Sequence, residues 1–307
     1  MNAERKETFL QERRREAEIS TSITSWFREA SYFENQFGRD AAEWTSNEIV
    51  TFLRYLSSSS VQTLTACVNS LRIYADWCLV NGFLPGGQNH WYEITTDQLV
   101  NYIDLVKFRK SVVTREELRQ AVKSVPLNWQ DVFVIWGAFN GLTIRDMVLI
   151  RFGDLEGNKL IFPNNRGKFE VTEELVDAIR HCQYEEEYIT YSDKHMVLQY
   201  EAPDNPDNPL VFRRLSRVTQ TPQRHMSRRF AVAMAEIGLA GMTIKSMNES
   251  GRMEFIRHMN VPVEQAVVMP VASEHVRQFG KIQQQTVWVN TYGKILKEEV
   301  SRKTDIR

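Results

Sequence analysis

The sequence predicts a mainly α-helical protein with a small β-sheet, an α+β chain with an all-helical N-terminal domain and a larger domain mixing helices with short strands. Two observations carry this: apolar residues recur at helical spacing behind capping boxes, and strand-and-turn signals gather in one stretch. Thr45 and Glu48 form the first capping box, ahead of Ile49, Val50, Phe52, Leu53 and Leu56. The serine run Ser57 to Ser60 ends that helix. From Val61, the positions Leu64, Cys67, Val68, Leu71, Tyr74, Ala75 and Cys78 trace one apolar stripe that should stop at Asn81-Gly82. Pro85-Gly86-Gly87 reads as a loop, and a further helix, Thr96 to Val106, completes the bundle.

A linker is expected at 108–113, where basic residues precede a second capping box, Thr114 with Glu117. The predicted organisation is therefore a helical domain at 1–107, that linker, and a second domain at 114–307. In the second domain helices run to about Ile150. Lys159 to Val171 then reads as a hairpin or three-stranded sheet, with Leu160-Ile161-Phe162 followed by the turn Asn164-Asn165-Arg166-Gly167.

With 42% apolar and 25% charged residues, the 307-residue chain has an ordinary globular composition, and its net charge of -1 points to no polyanionic partner. Cys67, Cys78 and Cys182 lack metal-site spacing and sit among apolar residues, as small buried hydrophobes do. Neither a metal nor an organic cofactor is implied. The charged N-terminus carries no apolar leader and no run of about 18 apolar residues occurs, so a cytoplasmic protein without membrane contact is expected.

Charge is nevertheless segregated along the chain. Tyr184 to Pro209 holds seven acids and one base, with three prolines, and reads as a solvated, partly irregular lobe. Leu210 to Asn260 holds nine Lys or Arg (at 213, 214, 217, 224, 228, 229, 245, 252 and 257) against three acids. A helix begun at Pro222 would turn Met226, Phe230, Met234 and Ile237 to the core and show Gln223, Arg224, Ser227 and Arg228 to solvent. Arginine's fork suits phosphate or guanine, although such runs are commonly only solubilising faces.

Four phrases in order resemble the tyrosine recombinase (phage integrase) family: IYADWCLVNGFL (73–84), GLTIRDMVLIRFGDLEG (141–157), RHMSRRFAVAMAEIGL (224–239) and GKIQQQTVWVNTY (280–292). The resemblance spans nearly the whole chain. It implies a core-binding-like N-terminal domain, a catalytic-type second domain, and duplex DNA as partner. It also implies that the chemistry is gone. The seat of the family's first catalytic arginine holds Thr143, its second box has Lys245 and Asn248 in the His and Arg positions, and the later histidine is replaced by Lys281. The nucleophile's seat holds Asn290, which cannot form a phosphotyrosyl-type bond. Only the hairpin lysine has a retained candidate in Lys168, with Arg166 as a competing register. Tyr292 and Arg145 are displaced alternatives, but two helical residues rotate a side chain by about 200°, which favours packing or surface roles for both.

Lysines at 245 and 281 would still hold a phosphate. The expected function is thus a sequence-specific DNA-binding transcriptional regulator, a repressor of the prophage lysogeny kind, without enzymatic activity. Gln223, Arg224, Ser227 and Arg228 would read one groove, and Gln62, Asn69 and Arg72 on the Val61 helix would grip another. Arg166, Lys168, Arg213, Arg214, Lys245 and Lys281 would contact the backbone. The resemblance further implies a homo-oligomer on DNA, with Lys294 to Ile306 either an oligomer contact or a simple packed terminal helix, and an anti-repressor or other regulatory protein is a further expected partner. Two rivals stay open: an active recombinase rebuilt around Lys168, Lys245, Lys281 and Tyr292, and a protein-interaction module using the acidic lobe.

Overall fold

The computed structural model describes residues 2–15, 22–84, 87–191, 195–216, 218–258 and 277–279. The chain is mainly helical with two small antiparallel sheets, and it divides into two units, Met1–Arg109 and Lys110–Arg307. The expected loop residues 85–86 lie outside the described residues.

The first unit comprises α1 (Ala3–Arg15), α2 (Ser22–Phe37), α3 (Ser46–Tyr55), α4 (Val61–Val80), α5 (Thr96–Leu99) and α6 (Leu105–Lys110), the last crossing the division. Both halves of the Thr45–Glu48 capping box are present at the start of α3. Every residue of the expected α4 stripe is buried, Cys67 and Cys78 included, and the helix ends at Asn81. Rings from three helices fill the core: Phe9 meets Phe27, Tyr74 and Trp77 edge-on, with centroids 6.0, 5.3 and 5.5 Å away.

The single helix expected over Thr96–Val106 is broken. α5 gives way to a 3-10 turn at Val100–Tyr102 and an extended Ile103. Asp104 then restarts the chain as α6, its carboxylate accepting Lys107 N at 2.9 Å while its own N–H donates to Ser58 O at 2.9 Å. An aspartate that satisfies an orphan N–H is worth more as a cap than as a helix interior. α6 consequently runs through the first three residues of the expected 108–113 linker.

The second unit follows with α7 (Arg115–Lys123), α8 (Trp129–Phe139), α9 (Ile144–Met147), β1 (Leu155–Glu156), β2 (Lys159–Phe162), β3 (Gly167–Glu170), α10 (Glu173–Cys182), β4 (Glu187–Ile189), β5 (Val197–Gln199), α11 (Pro222–Glu236) and α12 (Ile244–His258). α8 is the central post, buried from Gln130 to Phe139 and packed against α10, α11 and α12. Gly251 of α12 makes one contact possible: a Cβ there would sit 1.6 Å from Phe139 O. The expected small sheet has the order β1-β2-β3, with Leu160 paired to Phe169 and the β2–β3 turn carried by Asn164 and Asn165 at φ 60° and 57°.

The acidic stretch, expected as a solvated, partly irregular lobe, also carries a hairpin. β4 and β5 pair antiparallel, and Tyr188, Tyr200 and Leu215 form a small buried cluster beneath them. Aromatic and β-branched residues at alternate positions outweighed the charge count that concealed these strands. The carboxylate of Glu185 accepts the N–H groups of Trp129 and Gln130 at 2.6 and 3.1 Å, so this acid caps α8. Burial pushes its pKa up. Asn128 covers the outer edge of β4 with one side chain: its amide donates to Ile189 O at 2.9 Å and accepts Ile189 N at 2.8 Å.

Candidate nucleic-acid interface

α11 is set up by Thr221, whose hydroxyl accepts Arg224 N, followed by Pro222 in the first helical position. Its inner face buries His225, Met226, Arg229, Phe230, Ala233 and Met234. Its outer face shows Gln223, Arg224 and Arg228, with Ser227 half-buried and donating to Gln223 O at 2.9 Å. Arg224 and Arg228 lie four residues apart, one above the other, and neither has an ion pair among the described residues. No acid occupies the first turn of the helix.

Arg213, Arg214, Arg252 and Arg257 of the basic stretch are engaged within the fold, so Arg213 and Arg214, expected as backbone contacts, have internal partners. Arg213 donates to Glu185 O and lies 4.8 Å over the Tyr200 ring. Arg214 makes a two-pronged bond to Glu201 at 2.9 and 2.8 Å and also donates to Gln220 O. Arg252 is buried and donates to Phe279 O, and Arg257 pairs with Glu254 at 3.2 Å. Lys245 is exposed in the first turn of α12. Arg217 lies outside the described residues.

Arg229, one of the nine bases counted in this stretch, is 4% exposed and pairs with the buried Asp131 at 2.6 Å. The signal was available: Met226, Arg229, Phe230 and Ala233 follow the i, i+3, i+4, i+7 rule and share one face. His225 is buried beside it, 5.9 Å from the Phe212 ring, and its pKa falls to about 4 through burial and the nearby Arg229, Arg214 and Arg228.

Around Gly141, Thr143 and Asn248 serve as backbone fasteners. Thr143 caps α9 in a reciprocal box: Asp146 accepts both Thr143 N at 2.8 Å and its hydroxyl at 2.7 Å, while Asp146 N donates back at 3.2 Å. The buried Asp146 then pairs with Arg166, whose guanidinium also donates to Gly141 O at 3.0 Å and to Gln278 O. Gly141 sits at φ +91°, and a Cβ there would come within 2.5 Å of Gln278 O, so the crossing admits only glycine. Arg166, expected as a backbone contact, is thus engaged by Asp146 and two carbonyls within the fold. Asn248 donates to Ala138 O and Leu142 O at 3.0 and 3.3 Å. Lys168 is exposed and pairs with Glu156, and Arg145 is exposed on α9. Lys281, Asn290, Tyr292 and the 294–306 segment lie outside the described residues.

On α4, Gln62 and Asn69 are exposed, but Arg72 is drawn in. Its guanidinium donates to Trp91 O, Ile94 O and Asn69 Oδ1 at 3.1, 3.2 and 3.3 Å and lies 4.8 Å over the Tyr92 ring. It fastens the 90–94 turn to the helix. Among the described residues no group of three or more His, Cys, Asp or Glu is placed to hold a metal, and no helix is long and apolar enough to cross a membrane.

Residues 1–80 match the family described as MrpR, N-terminal core-binding domain. That match covers the first four helices and stops within the last residue of α4. No curated protein matches the chain. Among solved structures the chain is similar to XerA recombinase, at 10% identity over 98% of each chain with a TM-score of 0.43. It is also similar to a lambda integrase(75-356) dimer bound to a COC' core site, at 13% identity over 94% of this chain and 93% of that one, with a TM-score of 0.44.

Proposed function

We propose that this protein is a sequence-specific double-stranded DNA-binding transcriptional regulator, a prophage lysogeny repressor that uses a tyrosine-recombinase-like scaffold to bind and not to cut. The observation that carries the reading is the outer face of α11, where Arg224 and Arg228 stay exposed and unpaired while neighbouring arginines are engaged internally. Two stacked, uncommitted guanidinium groups beside Gln223, at a helix N-terminus whose first turn holds no acid, suit phosphate oxygens and guanine edges. The match of residues 1–80 to a core-binding domain supports a DNA role for the first unit.

Loss of cutting is supported by Thr143. A recombinase needs cations that hold the scissile phosphate, and this seat instead begins a helix through an Asp146 box. Repression would follow from covering a promoter, and a homo-oligomer on DNA is part of the proposal.

Duplexes selected by the protein from a random-sequence pool supply the test. Wild type should bind them with affinity falling steeply with salt, by a log-log slope near about -0.9 per phosphate contact. Arg224→Glu/Arg228→Glu should abolish this binding, and unchanged binding would overturn the reading. A nicked selected duplex should yield no covalent adduct; an adduct lost in Tyr292→Phe would establish the recombinase alternative instead.

A further inference from the structure

Arg228 and Arg229 are adjacent in sequence, about 100° apart on the helix, and only the first reaches solvent. Arg229 Nε donates to Asp131 Oδ1 at 2.6 Å, and its Nη1 reaches Gln130 Oε1 at 3.4 Å. Its guanidinium lies 4.3 Å from the ring centroid of Tyr188, 5.2 Å from Phe212 and 5.7 Å from Tyr200. Asp131, in the first turn of α8, also takes the Tyr191 hydroxyl at 2.6 Å. Three elements thus meet at one point: α8 by its carboxylate, the β4–β5 hairpin and its flanks by three tyrosines, and α11 by the arginine.

Stability alone explains this poorly. A buried ion pair is commonly matched or bettered by apolar side chains of the same volume. Here Arg229 Nη2 and Gln130 Nε2 are also left without hydrogen-bond partners among the described residues, a further penalty. What the arrangement supplies is direction. Apolar packing is non-directional, whereas a guanidinium stacked among rings and bonded on its edge fixes both the rotation and the height of its helix.

We propose that Arg229 and Asp131 are positioning residues for DNA readout: their ring-boxed pair locks the rotation of α11 that turns Gln223, Arg224 and Arg228 outward. This rests on the DNA-binding reading of the same helix. At a side-chain radius of roughly 5–6 Å, a rotation of about 10° moves a side-chain head by about 1 Å. Recognition geometry tolerates about 0.5 Å. Hydrogen bonds to base edges feel such a shift, whereas attraction to phosphates is long-range and hardly does. The lock therefore governs discrimination between sequences more than affinity for DNA as such.

The test is the ratio of affinities for a pool-selected duplex and a scrambled duplex of the same length, measured by fluorescence anisotropy beside thermal melting. Asp131→Leu/Arg229→Met replaces the pair by apolar side chains. It should melt within a few degrees of wild type and keep its affinity for the scrambled duplex, while the ratio falls about 10- to 100-fold. A folded variant with the wild-type ratio overturns the proposal. Should that variant fail to fold, Tyr191→Phe, which removes one hydroxyl from Asp131, must still lower the ratio several-fold, and an unchanged ratio there overturns it equally. If Arg224→Glu/Arg228→Glu leaves wild-type binding intact, the DNA reading of α11 fails; if that binding is lost but the lock variants read as wild type, only the positioning role fails.

Discussion

The outer face of α11 and the Arg213–Arg214 turn carry the same residue type within the same basic stretch, yet they end in opposite states. Arg224 and Arg228 stand one above the other in solvent, whereas Arg214 is clasped by Glu201 and Arg213 lies over Tyr200 with its guanidinium on Glu185 O. The clasping groups come from the acidic stretch that precedes these arginines, and Asp204 of the same stretch takes Arg151 at 2.6 Å. Charge that is segregated along the chain is recombined in space. Arg224 and Arg228 stay as a small, directional patch, and this is why a chain of net charge -1 can still be proposed to bind DNA.

The sharpest way to break this comparison is to truncate one arginine of each kind. Arg229→Ala strands Asp131 without its partner and should destabilise the second unit by about 3–5 kcal/mol, read as a large drop in urea midpoint. Arg228→Ala, one residue away, should change stability by less than about 0.5 kcal/mol while weakening duplex binding. Equal effects on stability would erase the distinction between the two faces.

Binding itself gives the next contrast. Arg224→Ala should cost about 1–3 kcal/mol of discrimination if it forks onto a base, seen as a loss for selected duplexes in a competition titration. Arg214→Ala should leave the salt dependence of binding unaltered, because its fork already belongs to Glu201. A reduced salt slope in that variant would place Arg214 on the DNA.

Smaller effects separate cap from catalyst. Thr143→Ala should lower stability by about 1 kcal/mol, as the loss of a helix cap does. Thr143→Arg should suffer at least that loss and still give no covalent adduct with a nicked duplex, and a gain of cleavage would return the seat to chemistry.

A contrast confined to acid pH is the dependence set by His225. Its folded pKa of about 4 lies below the ordinary 6.5, so only the unfolded chain takes up its proton between those values. Stability should therefore fall as pH drops from about 6.5 to about 4 and show no contribution above that window. His225→Gln should flatten the melting temperature over this window, by up to roughly 10 °C at 2–4 °C per kcal/mol for a unit of this size. Parallel pH profiles for the two proteins would refute burial as the cause.

Much of the fold was legible because local rules and tertiary packing agree. The capping boxes at Thr45 and Thr114, the α4 stripe and the β2–β3 turn are each specified by side chains only a few residues apart. The outer face of α11 was legible for the same reason. Reading failed where a distant partner decides the outcome. Asp104 breaks a periodic helix because Ser58 lies waiting for its N–H, and Arg72 leaves the solvent face because Trp91 and Ile94 offer two carbonyls. Arg166 joined a list of phosphate contacts because nothing in the sequence brings Asp146 and Gln278 to its side. The β4–β5 hairpin was hidden by its own charge, since counting acids says nothing about which alternate residues are tyrosines facing a core. Arg229 differs from these: helical phase alone would have placed it inside.

Asn128 has a bearing on how this protein behaves in a crowd. By answering both the N–H and the C=O of Ile189 with one carboxamide, it acts as a single-residue strand along a hairpin edge whose tip shows Ile189, Met196 and Val197, each at least half exposed. An open edge beside such a tip invites another chain to continue the sheet. The side chain closes that seam from within, so the hairpin can keep an apolar tip in solvent without offering Ile189 as a template for further strands.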